Sequence, residues 1–137
     1  IMIAGETVLE RLSDQIPDGT IIGARGPNGL FAPDTELNRW FRETYKNKYN
    51  SMPVYSAYHM ATAFLGAKAS YEKAQQENDT NNPTIDEIIN SFEYINFESV
   101  AGMVDMSLGK GHQAVQHVPY GMTKKVIYKY HTRNMHM

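Results

Sequence analysis

The stretch from Phe41 to Tyr71, FRETYKNKYNSMPVYSAYHMATAFLGAKASY, constrains the fold more than any other part of the chain. One amphipathic helix ends within it and a longer, more apolar one begins. Upstream, Leu37, Trp40, Phe41, Tyr45 and Tyr49 recur at three- and four-residue steps, a helical period that lines them along one side. Asp34 is placed to cap this helix, because a carboxylate there accepts from first-turn amides that have no intrahelical partner, and Pro33 discourages helix before it. Asn50 and Ser51 break the pattern. Pro53 restarts it, since a fixed φ and a missing N–H cost nothing at a first helical position. Beyond it Ala57, Met60, Ala61, Phe64, Leu65, Ala67 and Ala69 leave few polar positions until Lys68, Glu72 and Lys73. Such a helix is expected to be buried over most of its girth, with Trp40 an anchor on the inner face of the helix before it.

On either side the pattern alternates between helix and strand. Val8, Leu9, Leu12 and Ile16 make a short helical stripe over 6–16, Pro17-Asp18-Gly19 a turn, and 20–24 a brief strand. The run RGPNGLFAP that follows lies at the strand's C-terminal end, where open α/β sheets take ligands. It lacks the lysine and hydroxyl pair of a phosphate loop and reads as a connecting loop. Helices are expected at 34–49 and 53–76. A polar linker, QQENDTNNP, then leads to a helix over 84–94, whose Thr84 and Glu87 form a capping box ahead of Ile85, Ile88, Ile89 and Phe92. Strands at 102–106 and 114–118 flank Gly109-Lys110-Gly111 as a hairpin, and Val126, Tyr128 and Tyr130 alternate in a last strand before a loose tail. The fold class is therefore α/β.

With 137 residues, 42% of them hydrophobic and 20% charged, the chain can bury a core of its own. Its formal net charge of −2 and scattered basic residues give no nucleic-acid footprint. The absence of cysteine rules out disulfides and thiol catalysis. Asp86, Glu87, Glu93 and Glu98 fall in capping or amphipathic positions, which a solvated face explains better than an acid/base pair. His112 and His117 stand without a serine, cysteine or carboxylate at triad-like spacing. His131, Met135, His136 and Met137 could ligate a soft metal, but an ordinary terminus is the simpler reading. No cofactor and no metal site is expected.

From Asp18 to Tyr120 the order of features resembles the C-terminal part of the type I periplasmic binding proteins, in the branched-chain amino acid and amide-binding branch of ABC-transporter receptors. The matching pieces are the strand TIIGAR, the helix RWFRETYKNKYN, the Pro-led helix PVYSAYHMATAFLGAKASYEKA, the helix TIDEIINSFEYINF and the run VAGMVDMSLGKGHQAVQHVPYG. The resemblance implies part of a two-lobe α/β fold with a mostly parallel sheet and a C-terminal hairpin. Residues 1–122 would belong to the solute-binding domain and 123–137 to a terminal strand and flexible tail. It implies no enzyme but a receptor, periplasmic or lipid-anchored outside the cell, that clamps an amino acid, amide or aromatic acid and presents it to an ABC permease in the membrane. Val54 and Tyr55, at the start of the Pro-led helix, are expected nearest the solute, with Tyr58 a further candidate. Where the family usually shows Tyr-Asp-Ala, this chain has Tyr58-His59-Met60-Ala61. The chain is too short for both lobes, so the resemblance also implies a C-terminal fragment whose uncovered face self-associates. Alternatives from other classes are a cytoplasmic small-molecule sensor on the same fold and a small α/β enzyme using His112 or His117.

Overall fold

A computed structural model describes residues 2–3, 12 and 15–124. Strands β1 (Met2–Ile3) and β2 (Ile21–Gly23) pair in parallel, and β6 (Tyr120–Met122) adds to β2 antiparallel, giving the order β1-β2-β6. Between β2 and β6 the described residues make the α-helices α1 (Glu36–Tyr49), α2 (Tyr55–Glu77) and α3 (Ile85–Phe92), then an antiparallel meander of β3 (Asn96–Ser99), β4 (Gly102–Leu108) and β5 (Gln113–Val115). The α/β class holds. The mostly parallel sheet does not: among the described residues only β1 and β2 run parallel, because short turns join β3, β4 and β5, and such turns bring strands back antiparallel. The expected helix over 6–16 falls largely outside the described residues, as do the strand at 126–130 and the tail.

The two sheets hold different parts of the chain. Thr123 closes the first by donating its hydroxyl to the Pro17 carbonyl at 2.8 Å and accepting from the Thr20 amide at 3.0 Å. In the second, Gly109, Lys110 and Gly111 all take positive φ at the hairpin turn. A Cβ on Gly111 would lie 2.7 Å from the Tyr94 amide nitrogen, so glycine lets the turn rest on the end of α3.

Helix boundaries follow local chemistry with small shifts from the sequence reading. Thr35, one residue after the expected Asp34, caps α1 by accepting from the Asn38 amide at 3.2 Å, while Asp34 forms an ion pair with Arg39 at 2.8 Å. Asn50 ends the helix in the left-handed conformation at φ 51°. Pro53 is buried just ahead of α2, whose N-cap is Val54. The capping box of α3 is present, Glu87 accepting from the Thr84 amide at 2.7 Å.

The core forms where one side of α2 meets the meander and the other helices. Ile95, Phe97, Val104 and Met106 cluster with Leu65, Ala69 and Phe92, and Tyr58, Val100 and Ala101 cluster with Leu37, Phe41 and Ala61. Alternation along β3 and β4 points Phe97, Val104 and Met106 to the same face. Gly66 lets helix and sheet approach, since a Cβ there would lie 2.8 Å from Phe97 Cζ. Ser70 donates to the Ile88 carbonyl and Lys73 to that of Ser91 at 3.2 Å, fastening α2 to α3.

Two expectations of burial fail. The fully buried stripe of α2 is narrow, made of Tyr58, Gly66, Ser70 and Ala74, and Met60 and Phe64 are exposed, the latter by 69%. Among the described elements only one side of the helix finds a partner. Trp40 is 59% exposed rather than an inner anchor, because the face of α1 that meets the core is set by Leu37 and Phe41.

Candidate functional site

The cluster richest in chemistry stands at the C-terminal end of β2. Ala24 continues the pairing by donating to the Pro119 carbonyl at 3.0 Å, which keeps the segment between β5 and β6 beside the loop that follows. Gly26, Pro27 and Asn28 are buried, and the Asn28 side-chain amide donates to the Gly26 carbonyl at 3.1 Å. Gly26 has φ 132°, a conformation that glycine adopts freely and other residues rarely. A Cβ on it would meet His59 Nε2 at 3.2 Å and Gln116 Oε1 at 3.8 Å. Its bare backbone therefore admits a side chain from α2 and one from beyond β5 to the same point.

Arg25, one residue earlier, is exposed and sets its guanidinium over the Tyr55 ring, with Cζ 3.7 Å from the centroid. Tyr55 opens α2 and meets His59, one turn on, edge to face at 5.5 Å between ring centroids. Val54, 46% exposed, supplies no side-chain hydrogen bond to the first turn. The result is an aromatic ring with a cation on its face, an imidazole at right angles to it and an aliphatic neighbour.

Tyr58 occupies different surroundings from Val54 and Tyr55. It is 0% exposed, its hydroxyl donates to Asn38 Oδ1 at 2.9 Å, and Asn38 Nδ2 in turn donates to the Pro33 carbonyl at 2.8 Å. The ring packs edge to face on Phe41 at 5.1 Å. Burial pushes the phenol's pKa up, against lowering pulls from Arg42 and the Gly29 backbone, so it remains a proton donor. In this chain Tyr58 has no surface to offer a solute.

Beside the cluster a groove of about 340 Å³ runs between α2 and the meander, with Phe97, Val104 and Met106 below and His59, Thr62 and Gln116 along it. Thr62 Oγ1 and Gln116 Nε2 are buried without hydrogen-bond partners. A hollow of about 500 Å³ at the other end of α2 is lined only by polar residues, Glu72, Gln75, Gln76, Asp79, Thr80 and Asn81, and lacks an apolar wall. His112 Nε2 lies 2.9 Å from Glu93 Oε1, a contact that fastens the hairpin turn to the end of α3. His117 is exposed. Among the described residues no group of three or more His, Asp or Glu side chains could hold a metal, and the His/Met tail lies outside them.

Sequence reasoning did not single out Arg25, Gln116 or His59 as parts of one site. In the sequence the Gly- and Pro-rich run reads as a connection, and His59 stands out only as a departure from a family pattern. The available signal was the position of that run at the end of a strand.

No family profile and no curated protein matches the sequence. Solved structures do match in fold. A leucine-binding protein from Thermotoga maritima aligns over 89% of this chain with a TM-score of 0.65 and 17% identity. An ABC-type branched-chain amino acid transporter from Rhodopseudomonas palustris aligns over 78% with a TM-score of 0.62 and 17% identity. The chain has part of the type I periplasmic-binding-protein fold. A further ABC transporter structure from Rhodopseudomonas palustris aligns over 77% of the chain with a TM-score of 0.55 and 16% identity. The chain spans about a quarter to a third of these structures, 26%, 27% and 33% of their lengths. The shared binding-protein fold thus covers most of this chain and a minor part of each neighbour. At such identities the likeness is one of fold.

Proposed function

We propose that this chain is part of a solute-binding receptor of an ABC importer, in which Val54 and Tyr55 form one wall of the solute cleft and Tyr58 supports that wall from behind. The observation that carries this reading is the Arg25, Tyr55 and His59 cluster at the C-terminal end of β2, in a chain with the binding-protein fold. A ring presented beside a cation and an aliphatic residue suits a small molecule with one polar end and a hydrocarbon body, such as an amino acid or a related organic solute. On this reading the protein does no chemistry. A second wall closes on the solute by a hinge motion, and the closed form docks on a membrane permease, which puts the receptor outside the cytoplasmic membrane.

The test is a thermal-shift screen of leucine, other amino acids, small amides and aromatic acids, run on the 137-residue chain and on the full reading frame that encodes it. A solute at about 100 times its dissociation constant stabilises its receptor by about 2.7 kcal/mol. A clamp draws affinity from both walls, so the larger shift is expected from whichever polypeptide supplies both. With a binding solute in hand, Tyr55→Ala is expected to weaken affinity by about 1–3 kcal/mol. Unchanged affinity with a lowered melting temperature would assign Tyr55 to packing, and no shift with any solute in either polypeptide would refute the receptor.

A further inference from the structure

We infer that Arg25 is the group that recognises a carboxylate on the solute, an inference that rests on the solute-wall reading of this site. Three features of the site point to it. The guanidinium is held over Tyr55 at 3.7 Å, and a stacked guanidinium keeps the N–H donors at its edge for a planar, two-oxygen partner. Among the described residues no carboxylate forms a salt bridge with Arg25, whereas Arg39 neutralises its charge on Asp34 at 2.8 Å. The side chains that converge beside it, His59 and the Gln116 amide, carry no negative charge, and both can donate hydrogen bonds.

The residue at position 59 matters to this balance. An acid there would place a negative charge one helical turn from Tyr55 and repel an incoming anion. Histidine removes that repulsion and adds a donor. Val54, which is exposed, and the partly exposed Tyr55 then meet the hydrocarbon part of the same molecule. The chemistry recognised is a carboxylate joined to a short apolar body. Two sources share it, an amino acid and a simple organic acid.

The experiment is an NMR titration of the full 137-residue chain with leucine, isocaproate and isocaproamide, which share one side chain and differ in the amine and the carboxylate. Resonances of Arg25, Tyr55 and His59 are expected to move with leucine and isocaproate, with dissociation constants about tenfold below that for isocaproamide, the usual scale of a charge-assisted pair. Arg25→Gln, at an exposed position, is expected to leave the rest of the spectrum unchanged and to erase that difference. Tighter binding of leucine than of isocaproate supports the inference and names an amino acid, and the reverse order supports it and names a simple acid. If isocaproamide binds as tightly as isocaproate, or if Arg25→Gln keeps the preference, the carboxylate inference falls while the solute wall stands. If none of the three moves these resonances, the carboxylate inference falls, and the solute wall is judged by the wider screen of both polypeptides.

Discussion

Replacing Gly66 with alanine sets two effects of opposite sign against each other in one methyl group. In the interior of a helix alanine is favoured over glycine by about 0.8–1.0 kcal/mol, chiefly because glycine loses more backbone freedom on folding. At Gly66, however, the added Cβ would lie 2.8 Å from Phe97 Cζ and 3.3 Å from Phe92 Cε2, inside normal contact distance. Phe97 is buried with Ile95, Val104 and Met106, so its ring cannot swing away without disturbing the sheet face. Overpacking of this kind costs about 1–3 kcal/mol. The clash is expected to win, leaving Gly66→Ala less stable by about 1 kcal/mol. Urea unfolding followed by circular dichroism reads this as a midpoint lowered by roughly 0.5 M. Ala67→Gly, at the exposed neighbouring position, is the control for propensity alone and should cost about 1 kcal/mol. Adding Phe97→Leu should make the methyl group less harmful than it is in the parent, a coupling that appears only between groups in contact. A Gly66→Ala variant more stable than the parent would show that α2 and β3 are not as close as described.

Other substitutions probe separate parts of the structure. Tyr58→Phe leaves Asn38 Oδ1 buried without its donor and should cost about 1–3 kcal/mol in the same unfolding assay, whereas a neutral outcome would mean that water reaches Asn38. Glu87 has its carboxyl pKa lowered by hydrogen bonds from the Thr84 backbone and side chain. A group whose pKa is depressed in the folded state contributes stability above its unfolded pKa and loses it as pH falls through the folded one. The stability gap between the parent and Glu87→Gln should therefore be present at neutral pH and close on acidification, and a gap independent of pH would refute the capping role. Trp40→Ala, at a position 59% exposed, should cost about 1 kcal/mol or less, not the roughly 3–5 kcal/mol of a buried tryptophan. A large loss of melting temperature would place Trp40 inside after all.

Much of the frame was legible because local chemistry sets it. The Thr84 and Glu87 box, the left-handed Asn50 and the Gly-Lys-Gly turn each act within a few residues of themselves, and periodicity marks the helices between them. What escaped depends on distant partners. β6 pairs with β2 from far along the chain, and β3 is four residues long with Phe97 its one apolar residue, so neither offers a strong local pattern. Burial escapes the sequence for the same reason: periodicity shows that Trp40 and Phe64 share a helix with core residues, but not how wide a stripe the neighbours cover. At the candidate site, the start of the helix that carries Tyr55 was legible from Pro53. The cation over the Tyr55 ring was not, because Arg25 arrives from another element and only the fold brings the two together.

The tie between Thr20 and Thr123 joins residues 103 apart in sequence. Closing a loop of that length costs about 4 kcal/mol in chain entropy, beyond what a few strand hydrogen bonds return before other contacts exist. The helices and the meander, whose core contacts close shorter loops than this tie does, can assemble first, and the sheet of β1, β2 and β6 is then free to join a scaffold already built. Arg25 follows β2 directly, so the cation takes its place over Tyr55 only in that last step. The site is thereby tied to completion of the fold, and a chain that has formed its helices but not this sheet would lack the charge at its centre.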